Sequence, residues 1–416
     1  MHADTGLADV VDGLPLVLPM LPRRAVLESK VITQLTHVAA RARETRKRLR
    51  GQGEVGAGVG FGDRAGRPVL HQVTQTMRPF DAVSNDTLAI QNLLRTNGFY
   101  SEIFAEHIDP SLRDRVRSVD QLSDPAVDRD AVLVHVCVHA PRLMRILEQR
   151  SGPLHLRFHS NTPPAWFAGV SIGFEQSSRK GWAEMTRLSR IAKSAIADSA
   201  HNVREITEVG MRDVTLVPIL LEPADLTGVP AVATGNYAVS VGRIAPNKRI
   251  DFALRTIAAY QRSYDPDFGL VLVGSDRGLE RYSAACHALA LSLGVRNVRW
   301  VGSVTEAEKL RLMRAAAAYL CTSDHEGFCV PIVESFRLGL PVVARATSAV
   351  TDTCGDALAV DTADPSLLAD VLRVVVTDAG LRDQLVAVQS EEAKRFDPVV
   401  VGEQVLAWAR THVAGA

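Results

Sequence analysis

The sequence predicts an α/β protein of two domains, each built on a doubly wound parallel sheet, which face each other across a cleft. Its 416 residues exceed one ordinary domain and suit two of roughly 150–200 residues. Short apolar runs alternate with segments of helical periodicity from residue 67 onward, and this alternation is typical of a parallel sheet. The pattern restarts near residue 230. We therefore predict an extension over 1–66, a first domain over 67–229 and a second domain over 230–396.

Composition narrows the functional class. The 47 basic residues balance the 47 acidic ones, which argues against a protein built mainly to bind nucleic acid. Five cysteines without a Cys-x-x-Cys pair favour a reducing, cytoplasmic setting. The first residues lack the order of a signal peptide, and no stretch approaches the roughly 20 apolar residues of a membrane span. We expect a cytoplasmic protein.

The extension over 1–66 contains one amphipathic helix and one basic run. Apolar residues at helical spacing predict the helix over 26–38, and the run 41–51 holds six basic residues and one acidic residue. The simpler interpretation is a solvated helix end, because cations complement the helix dipole there. The alternative is a peripheral contact with an anionic surface at the inner face of a membrane. Gly51 to Gly66 is glycine-rich and predicts a linker.

The elements of both domains follow from local pattern in chain order. In the first domain the helix at 84–98 begins with Ser84 or Asn85 as a capping residue and ends at Gly98. The run 131–139 is apolar enough for a strand buried on both faces. Predicted strands lie at 68–75, 100–105, 131–139, 154–160 and 193–200, and then at 236–244, 268–275, 298–303, 318–323 and 340–345. Predicted helices lie at 84–98 and 141–150, and then at 249–263, 279–294, 305–317 and 330–339.

Two glutamates flank a turn in the second domain. Glu326 follows a strand, and Glu334 lies eight residues later inside the next helix. Pro331 fits the first helical turn and Gly339 fits the position after the last one. A carboxylate before such a turn can accept hydrogen bonds from sugar hydroxyls, and a second one can hold a ribose diol. The alternative is that both are solvated or salt-bridged acids.

The turn between these glutamates predicts an anion site. Gly327 lets the backbone turn tightly, so that the free N–H groups of Phe328, Cys329 and Val330 face a negatively charged ligand. We count all four residues as candidate donor-binding residues.

Two cations follow the first strand of the second domain. Arg243 comes directly after Gly242 at the strand end, and Lys248 lies five residues later before a helix. Ligands of parallel sheets collect at the carboxyl ends of strands. An arginine fork and a lysine point charge together suit a diphosphate, although each could instead form a surface salt bridge.

One histidine stands apart from the others. His159 ends a predicted strand just before the sequence SNTPP, on the cleft side. That position favours contact with a ligand. A histidine on an apolar strand is also commonly a satisfied core residue, and His135, His139 and His155 show the same ambiguity.

These motifs together resemble the donor domain of retaining family-4 glycosyltransferases, which have the GT-B fold of two Rossmann-like domains. The similarity covers 236–395 and rests on G-R-x4-K at 242–248, LVLVGS at 270–275, VGSVTEAEKLRLMRAA at 301–316 and E-x7-E at 326–334. The resemblance implies that Arg243 and Lys248 hold the donor diphosphate and that Glu326 binds the transferred sugar. It further implies that Glu334 binds the nucleoside ribose and that His159 faces the sugar. His159, Glu326, Arg243 and Lys248 are then the candidate catalytic residues.

The first domain resembles the same family less closely. The family usually has glycine at its first phosphate-facing turn, where this sequence has Phe80 and Asp81, with Ser84 following. These three are the candidate residues of a phosphate- or acceptor-facing loop. The family's last helix crosses back onto the first domain, which implies such a helix within 397–416. The apolar residues available for that packing are Val399, Val400, Val405, Leu406 and Trp408.

The resemblance implies transfer of a hexose from a nucleoside-diphosphate sugar, UDP first and GDP second, to a hydroxyl acceptor. It implies no cofactor and no metal, and a homo-oligomer is compatible with it. The acceptor stays open between a glycan, a lipid-linked saccharide and a small molecule. A sugar-nucleotide epimerase, a phosphorylase and a non-catalytic nucleotide-sugar-binding scaffold stay open as alternatives. We expect that alanine at Glu326 or Lys248 abolishes transfer with little change in thermal stability.

Overall fold

The computed structural model describes residues 64, 66–79, 81–222 and 235–413. The predicted helix at 26–38 and the basic run at 41–51 lie outside the described residues, as does nearly all of the extension over 1–66. The predicted boundary between 229 and 230 also lies outside them. The chain from residue 63 onward forms one compact unit.

A seven-stranded sheet forms the first domain, with the order β3-β2-β1-β4-β5-β6-β7 and parallel pairing throughout. Every residue of β4 and β5 is buried, as expected for strands that helices cover on both faces. The strands are β1 (Leu70–Met77), β2 (Ile103–Ile108), β3 (Val116–Ser118), β4 (Ala131–Val136), β5 (Leu154–Phe158), β6 (Ser194–Ala197) and β7 (Val214–Leu216). The helices are α1 (Ala82–Thr96), α2 (Pro141–Gln149), α3 (Ile172–Ile191) and α4 (Ala200–Glu208).

A six-stranded parallel sheet forms the second domain, with the order β10-β9-β8-β11-β12-β13. One face packs against α5 and α10, and the other packs against α7 and α8. The strands are β8 (Tyr237–Val241), β9 (Gly269–Val273), β10 (Val298–Gly302), β11 (Ala318–Cys321), β12 (Val342–Arg345) and β13 (Ala359–Val360). The helices are α5 (Ile250–Ser263), α6 (Glu280–Leu293), α7 (Glu306–Arg314), α8 (Val330–Leu338), α9 (Ser348–Cys354), α10 (Pro365–Thr377), α11 (Ala379–Ala393) and α12 (Pro398–His412). The predicted pair of doubly wound parallel sheets is confirmed.

The strand orders locate the binding edge of each sheet. In both sheets the chain runs outward from a central strand and then reverses, so the reversal lies between β1 and β4 and between β8 and β11. Connections leave such a pair in opposite directions, which opens a crevice at the carboxyl ends of the two strands. Gly242 and Arg243 follow β8, and Glu326 follows β11. The predicted donor residues therefore lie at the reversal point of the second sheet.

Helix α12 packs onto the first domain. Val405, Leu406 and Trp408 are buried in a cluster with Leu70 of β1 and Ile90 of α1. Val399 and Val400, which the sequence offered for the same packing, are largely exposed. Val401 lies on the buried face instead. It is two positions beyond Val399 and therefore points to a different side of the helix.

The start of α1 differs from the prediction. Asp81 caps the helix by accepting a hydrogen bond from the Ser84 backbone N–H at 3.1 Å, so Ser84 and Asn85 lie inside the helix. The 20-residue helix α3 was not predicted at all. None of the helices in the described part of the chain combines the length and the apolar composition that a membrane crossing needs.

Candidate functional site

A cavity of about 210 Å³ lies between the two sheets, at the carboxyl ends of their strands. The first domain contributes residues after β5, and the second domain contributes residues after β8 and β11. The lining residues are His159, Ser160, Thr162, Phe167, Arg243, Ala245, Asn247, Lys248, His325, Glu326 and Gly327. The structure thus brings together four predicted catalytic residues from three separate loops.

The chain leaves β8 at Gly242, whose backbone conformation favours glycine, and Arg243 follows. Gly242 has a φ of 149°, and a Cβ at this position would come 3.4 Å from the Lys248 side chain. The Arg243 guanidinium lies 4.7 Å from the ring centre of Phe174, a residue of α3 in the first domain. Burial and the nearby Arg78 lower the pKa of Arg243. The cation–π contact holds Arg243 across the cleft. Its guanidinium stays protonated at neutral pH despite the lowered pKa, because the ordinary pKa of arginine is far above 7.

Lys248 and Glu326 form the central ion pair of the site. The Lys248 Nζ lies 2.5 Å from both carboxylate oxygens of Glu326, and the Ser323 hydroxyl donates to Oε1 at 2.7 Å. Burial lowers the pKa of Lys248, but the adjacent carboxylate outweighs this and leaves the pKa above its ordinary value. The two residues are 78 positions apart in sequence. Glu326 is thus salt-bridged, which is one of the alternatives drawn from the sequence, but the pair is largely buried and lines the cavity instead of lying at the surface.

Gly327 packs tightly against the backbone of the first domain. A Cβ on this residue would come 2.5 Å from the His159 carbonyl oxygen and 2.8 Å from the Ser160 Cβ. Its own carbonyl accepts a hydrogen bond from the Ser199 hydroxyl at 2.8 Å. Glycine is required here by the close approach of another backbone, which adds to the turn-forming role that the sequence suggested.

The N-terminus of α8 faces this turn. In the part of the chain that the structure describes, the backbone N–H groups of Phe328, Cys329 and Val330 donate to no other group. Cys329 has a φ of 72°, which a residue with a side chain rarely adopts. Such strain is maintained only where the surroundings enforce it, and it clusters at functional sites. These N–H groups are available to an anionic ligand, and anion binding at 327–330 stays a prediction.

The Phe328 side chain has a structural role. It is buried against Ile219, Val333 and Phe396, with the Phe396 ring in an edge-on contact at 5.4 Å between ring centres. Only its backbone is in a position to meet a ligand at the helix terminus.

Glu334 lies on α8 and is paired with a residue of α7. The Lys309 Nζ lies 2.7 Å from Glu334 Oε1, while Oε2 is buried and has no hydrogen-bond partner among the described residues. Burial raises the pKa of Glu334 against the opposing effect of Lys309. A buried acceptor without a donor is costly, and two ligand hydroxyls would satisfy it.

His159 lines the cavity, but its ring belongs to a buried network of the first domain. The side chain is 3% exposed, with Nδ1 2.8 Å from Asp198 and Nε2 2.9 Å from His135 Nδ1. Gln72 donates its amide N–H to a carbonyl, so its oxygen at 2.9 Å must accept from His135 Nε2. Burial, together with the neighbouring His159 and Arg157, keeps the pKa of His135 well below its ordinary value, so His135 is neutral. His135 Nδ1 is then the acceptor of a hydrogen bond from His159 Nε2, and His159 Nδ1 lies within hydrogen-bond distance of Asp198 Oδ2. Its predicted contact with the sugar stays a prediction.

Asp81 and Ser84 form a closed cap at α1. Asp81 accepts from the Ser84 hydroxyl at 2.9 Å and from the Arg78 guanidinium at 3.0 Å. A carboxylate therefore already lies at the helix terminus where the family's glycine turn would receive a phosphate. Phe80 lies outside the described residues. A contact of this loop with phosphate or acceptor stays a prediction.

Several residues of the site escaped the sequence analysis. Ser199, Ser323, Lys309, His325 and Glu205 all contact predicted site residues or each other. Only His325 carried a sequence signal, because it directly precedes Glu326. The others are ordinary polar residues whose roles depend on contacts far along the chain.

Residues 228–391 match the family model described as glycosyl transferases group 1. A phosphatidyl-myo-inositol mannosyltransferase of Mycobacterium leprae is 28% identical over 308 residues, which span 71% of this chain and 76% of that protein. A D-inositol 3-phosphate glycosyltransferase of Nocardioides is 35% identical over 170 residues, which span 37% of each chain. The segment that aligns with the second relative thus covers a little over a third of that protein's length.

Solved structures share the whole fold. Anabaena HepE in complex with UDP-glucose has a TM-score of 0.64 at 16% identity and covers 83% of this chain and 100% of its own. The sucrose-phosphate synthase of Thermosynechococcus elongatus has the same TM-score and covers 84% of this chain. The two parallel sheets, the position of the motifs at the reversal points and the similarity to solved structures all indicate the same fold. This chain therefore has the GT-B fold, and its residues 228–391 match the glycosyl transferases group 1 model.

Proposed function

We propose that this protein transfers a hexose from a nucleoside-diphosphate sugar to a hydroxyl with retention of the anomeric configuration. The observation that carries the proposal is the Lys248–Glu326 pair, which faces a cavity next to Arg243 and the uncapped N-terminus of α8. One side of this arrangement is positive and suits a diphosphate. The other side offers a carboxylate to the hydroxyls of the attached sugar.

The cations would act on the leaving group. When the bond between sugar and phosphate breaks, negative charge builds on the diphosphate and positive charge builds on the sugar ring. Arg243, Lys248 and the N–H groups at 328–330 are fixed before the reaction, so they stabilise the new charge without reorganising. Lys248 has three donors, which lets it keep Glu326 and contact a phosphate together.

The two glutamates would divide the recognition of the donor. Glu326 is held in place by Lys248 and Ser323, and it can accept hydrogen bonds from sugar hydroxyls. The unpartnered Oε2 of Glu334 can accept from a ribose diol. Their separation of eight residues across the start of α8 would set the distance between sugar and nucleoside.

A front-face route is the favoured mechanism. Glu326 is the one carboxylate among the described residues that line the cavity, and its oxygens are engaged by Lys248. No second carboxylate in that lining is available as a nucleophile for a double displacement. We therefore propose that the leaving phosphate itself assists the acceptor hydroxyl, and that the transfer step needs no metal.

The names of similar proteins support a first choice of donor and acceptor for testing. The structural neighbour HepE was solved with UDP-glucose, which supports UDP as the first choice. A relative from Komagataeibacter xylinus is named for GDP-mannose, which keeps GDP as the second. Two relatives have phosphatidyl-myo-inositol and D-inositol 3-phosphate in their names. We propose a phosphorylated inositol, free or lipid-linked, as the first acceptor to test, with the basic run at 41–51 as a contact to an anionic membrane.

The first experiment is a thermal-shift series without metal, with UDP, GDP, ADP, dTDP and their common sugar conjugates. A ligand at a hundred times its dissociation constant adds about 2.7 kcal/mol of stability, which gives a measurable rise in melting temperature. We expect a rise with UDP or GDP conjugates that is lost in Lys248→Met. The matched control is Lys394→Met, because Lys394 pairs with Glu391 at the surface.

Product analysis then separates the alternatives. Transfer requires nucleotide release that depends on an added hydroxyl acceptor, and NMR of the product shows whether the anomeric configuration is kept. Conversion of the donor without acceptor would indicate an epimerase, and release of sugar 1-phosphate with inorganic phosphate would indicate a phosphorylase. Donor binding without turnover with any acceptor would contradict the proposal.

A further inference from the structure

Helix α4 of the first domain and the loop before Glu326 form a second polar cluster at the domain interface. His201 and Glu205 lie four residues apart on α4, so they share one face of the helix. His325 reaches the same point from the second domain, 120 residues further along the chain than Glu205. Neither His201 nor Glu205 lines the donor cavity.

The distances in this cluster match those between the ligands of a tetrahedral metal. The Glu205 Oε1 lies 3.4 Å from His201 Nε2 and 3.3 Å from His325 Nε2. All three atoms lie within 4.8 Å of one another. A zinc ion with bonds of about 2.0–2.1 Å places neighbouring ligands about 3.3 Å apart in a regular tetrahedron.

The same distances are long for hydrogen bonds between charged partners. Such bonds measure about 2.7–2.9 Å. His201 Nε2 is buried and makes no well-formed hydrogen bond to a described residue, and the acceptor it faces in this cluster is Glu205 Oε1 at 3.4 Å. A bound cation would satisfy this nitrogen.

Surrounding groups orient the ligands. The Ser160 hydroxyl donates to Glu205 Oε2 at 2.8 Å, which leaves Oε1 for the two histidines. The Asn247 amide donates to the His325 carbonyl at 3.0 Å and fixes that loop. Metal ligands in proteins are commonly held in this way by hydrogen bonds from a second layer of residues.

We propose that His201, Glu205 and His325 form a site for a transition-metal cation of the zinc type, which bridges the two domains. Two imidazoles and one carboxylate are ligands that zinc accepts, with water in the fourth position. The cation would hold the loop of Glu326 against the first domain and would not contact the donor diphosphate. The site is therefore independent of the proposal that transfer needs no metal.

Two other clusters among the described residues are worse candidates. Asp86, His135 and His159 are already engaged, since Arg157 binds Asp86 and Asp198 binds His159. In the cluster of Cys321, Glu326 and Cys329, Lys248 neutralises the carboxylate.

The test uses the full chain with Zn²⁺ and Co²⁺ as probes. Calorimetry should show one Zn²⁺ site per chain, and Co²⁺ should give the visible spectrum of a tetrahedral site. His201→Gln should weaken binding at least as much as the loss of a second-layer partner, which is about 10–100-fold. His325→Gln should do the same from the other domain. The matched control Glu208→Gln, an exposed residue of α4, should bind as the wild type does.

Three results would overturn the proposal. The first is unchanged Zn²⁺ affinity in both histidine variants, with folding verified by circular dichroism. The second is an intense near-ultraviolet band of thiolate bound to cobalt, which would place the metal at Cys321 and Cys329. The third is no binding of either cation by the wild type, which would leave a hydrogen-bonded cluster without a metal.

Discussion

The Lys248–Glu326 pair provides the sharpest test of the site. We consider Lys248→Met, Glu326→Gln and the double variant, because methionine and glutamine keep the size of the side chains and remove their charge. The side chains are 23% and 9% exposed, and the ammonium contacts both carboxylate oxygens at 2.5 Å. Each single variant leaves the other partner buried without its counter-charge.

The expected loss of unfolding free energy depends on how deeply the pair is buried. Breaking a fully buried pair costs about 3–5 kcal/mol of unfolding free energy, because an uncompensated charge is left inside. An exposed pair is worth about 0.2–1 kcal/mol. Since Lys248 keeps some contact with water, we expect a loss of about 2 kcal/mol for Lys248→Met, between these limits. The double variant should lose less than the sum of the two single variants. This modifies the expectation drawn from sequence, in which stability changes little.

The assay is urea unfolding of the wild type and the three variants, combined with kcat/KM for transfer. The coupling free energy from the double-mutant cycle should exceed about 0.5 kcal/mol, the usual error of additivity. Transfer should fall by about 10²–10³-fold in Lys248→Met, as for the loss of one preorganised donor. Additive stabilities would refute the ion pair. An unchanged kcat/KM would refute the role of Lys248 in the reaction.

Three further predictions concern the surroundings of the site. Gly327→Ala should lower kcat/KM while the fold is kept, because its Cβ would come 2.5 Å from the His159 carbonyl and force the domains apart; steady-state kinetics and circular dichroism measure both. Asp86→Ala should lower the unfolding free energy by about 3–5 kcal/mol in urea, because Arg157 is fully buried against it at 2.9 Å. Burial raises the pKa of Glu205, but the two adjacent histidines outweigh this and lower it to about 2. Its stabilising contribution is therefore full above about pH 4.5 and is lost as the pH falls toward 2, with an upper limit of about 3 kcal/mol relative to Glu205→Gln in acid titrations of stability.

Matched controls make these predictions decisive. Gly173→Ala in α3 has open space for its Cβ and should leave kinetics unchanged. Asp383→Ala changes a side chain that is 81% exposed, and it should leave stability within about 0.5 kcal/mol of the wild type. Glu208→Gln should keep the acid dependence of the wild type. A Gly327→Ala enzyme with normal kinetics, a loss below about 1 kcal/mol for Asp86→Ala, or parallel acid profiles of Glu205→Gln and the wild type would each contradict the corresponding argument.

Much of the architecture could be predicted from the chain alone. Alternation of apolar strands with amphipathic helices is a local property, and a helix is the usual connection between parallel strands. The start and the end of α8 also follow from local signals, namely Pro331 and Gly339. Both residues occupy the predicted positions. The glutamates at 326 and 334 were identified because their spacing spans one turn and one helix start. These features depend on residues that are neighbours in sequence.

The contacts that give the site its chemistry depend on the folded sheet. Lys248 meets Glu326 because β8 and β11 are adjacent strands at the reversal point of the second sheet, although 78 residues separate the two. His325 meets Glu205 only because two domains face each other. The ring of His159 turns to Asp198 and His135, which no local pattern around residue 159 indicates. Local sequence thus specifies which residues stand at the ends of strands, while the order of the strands and the apposition of the domains determine which of those residues touch.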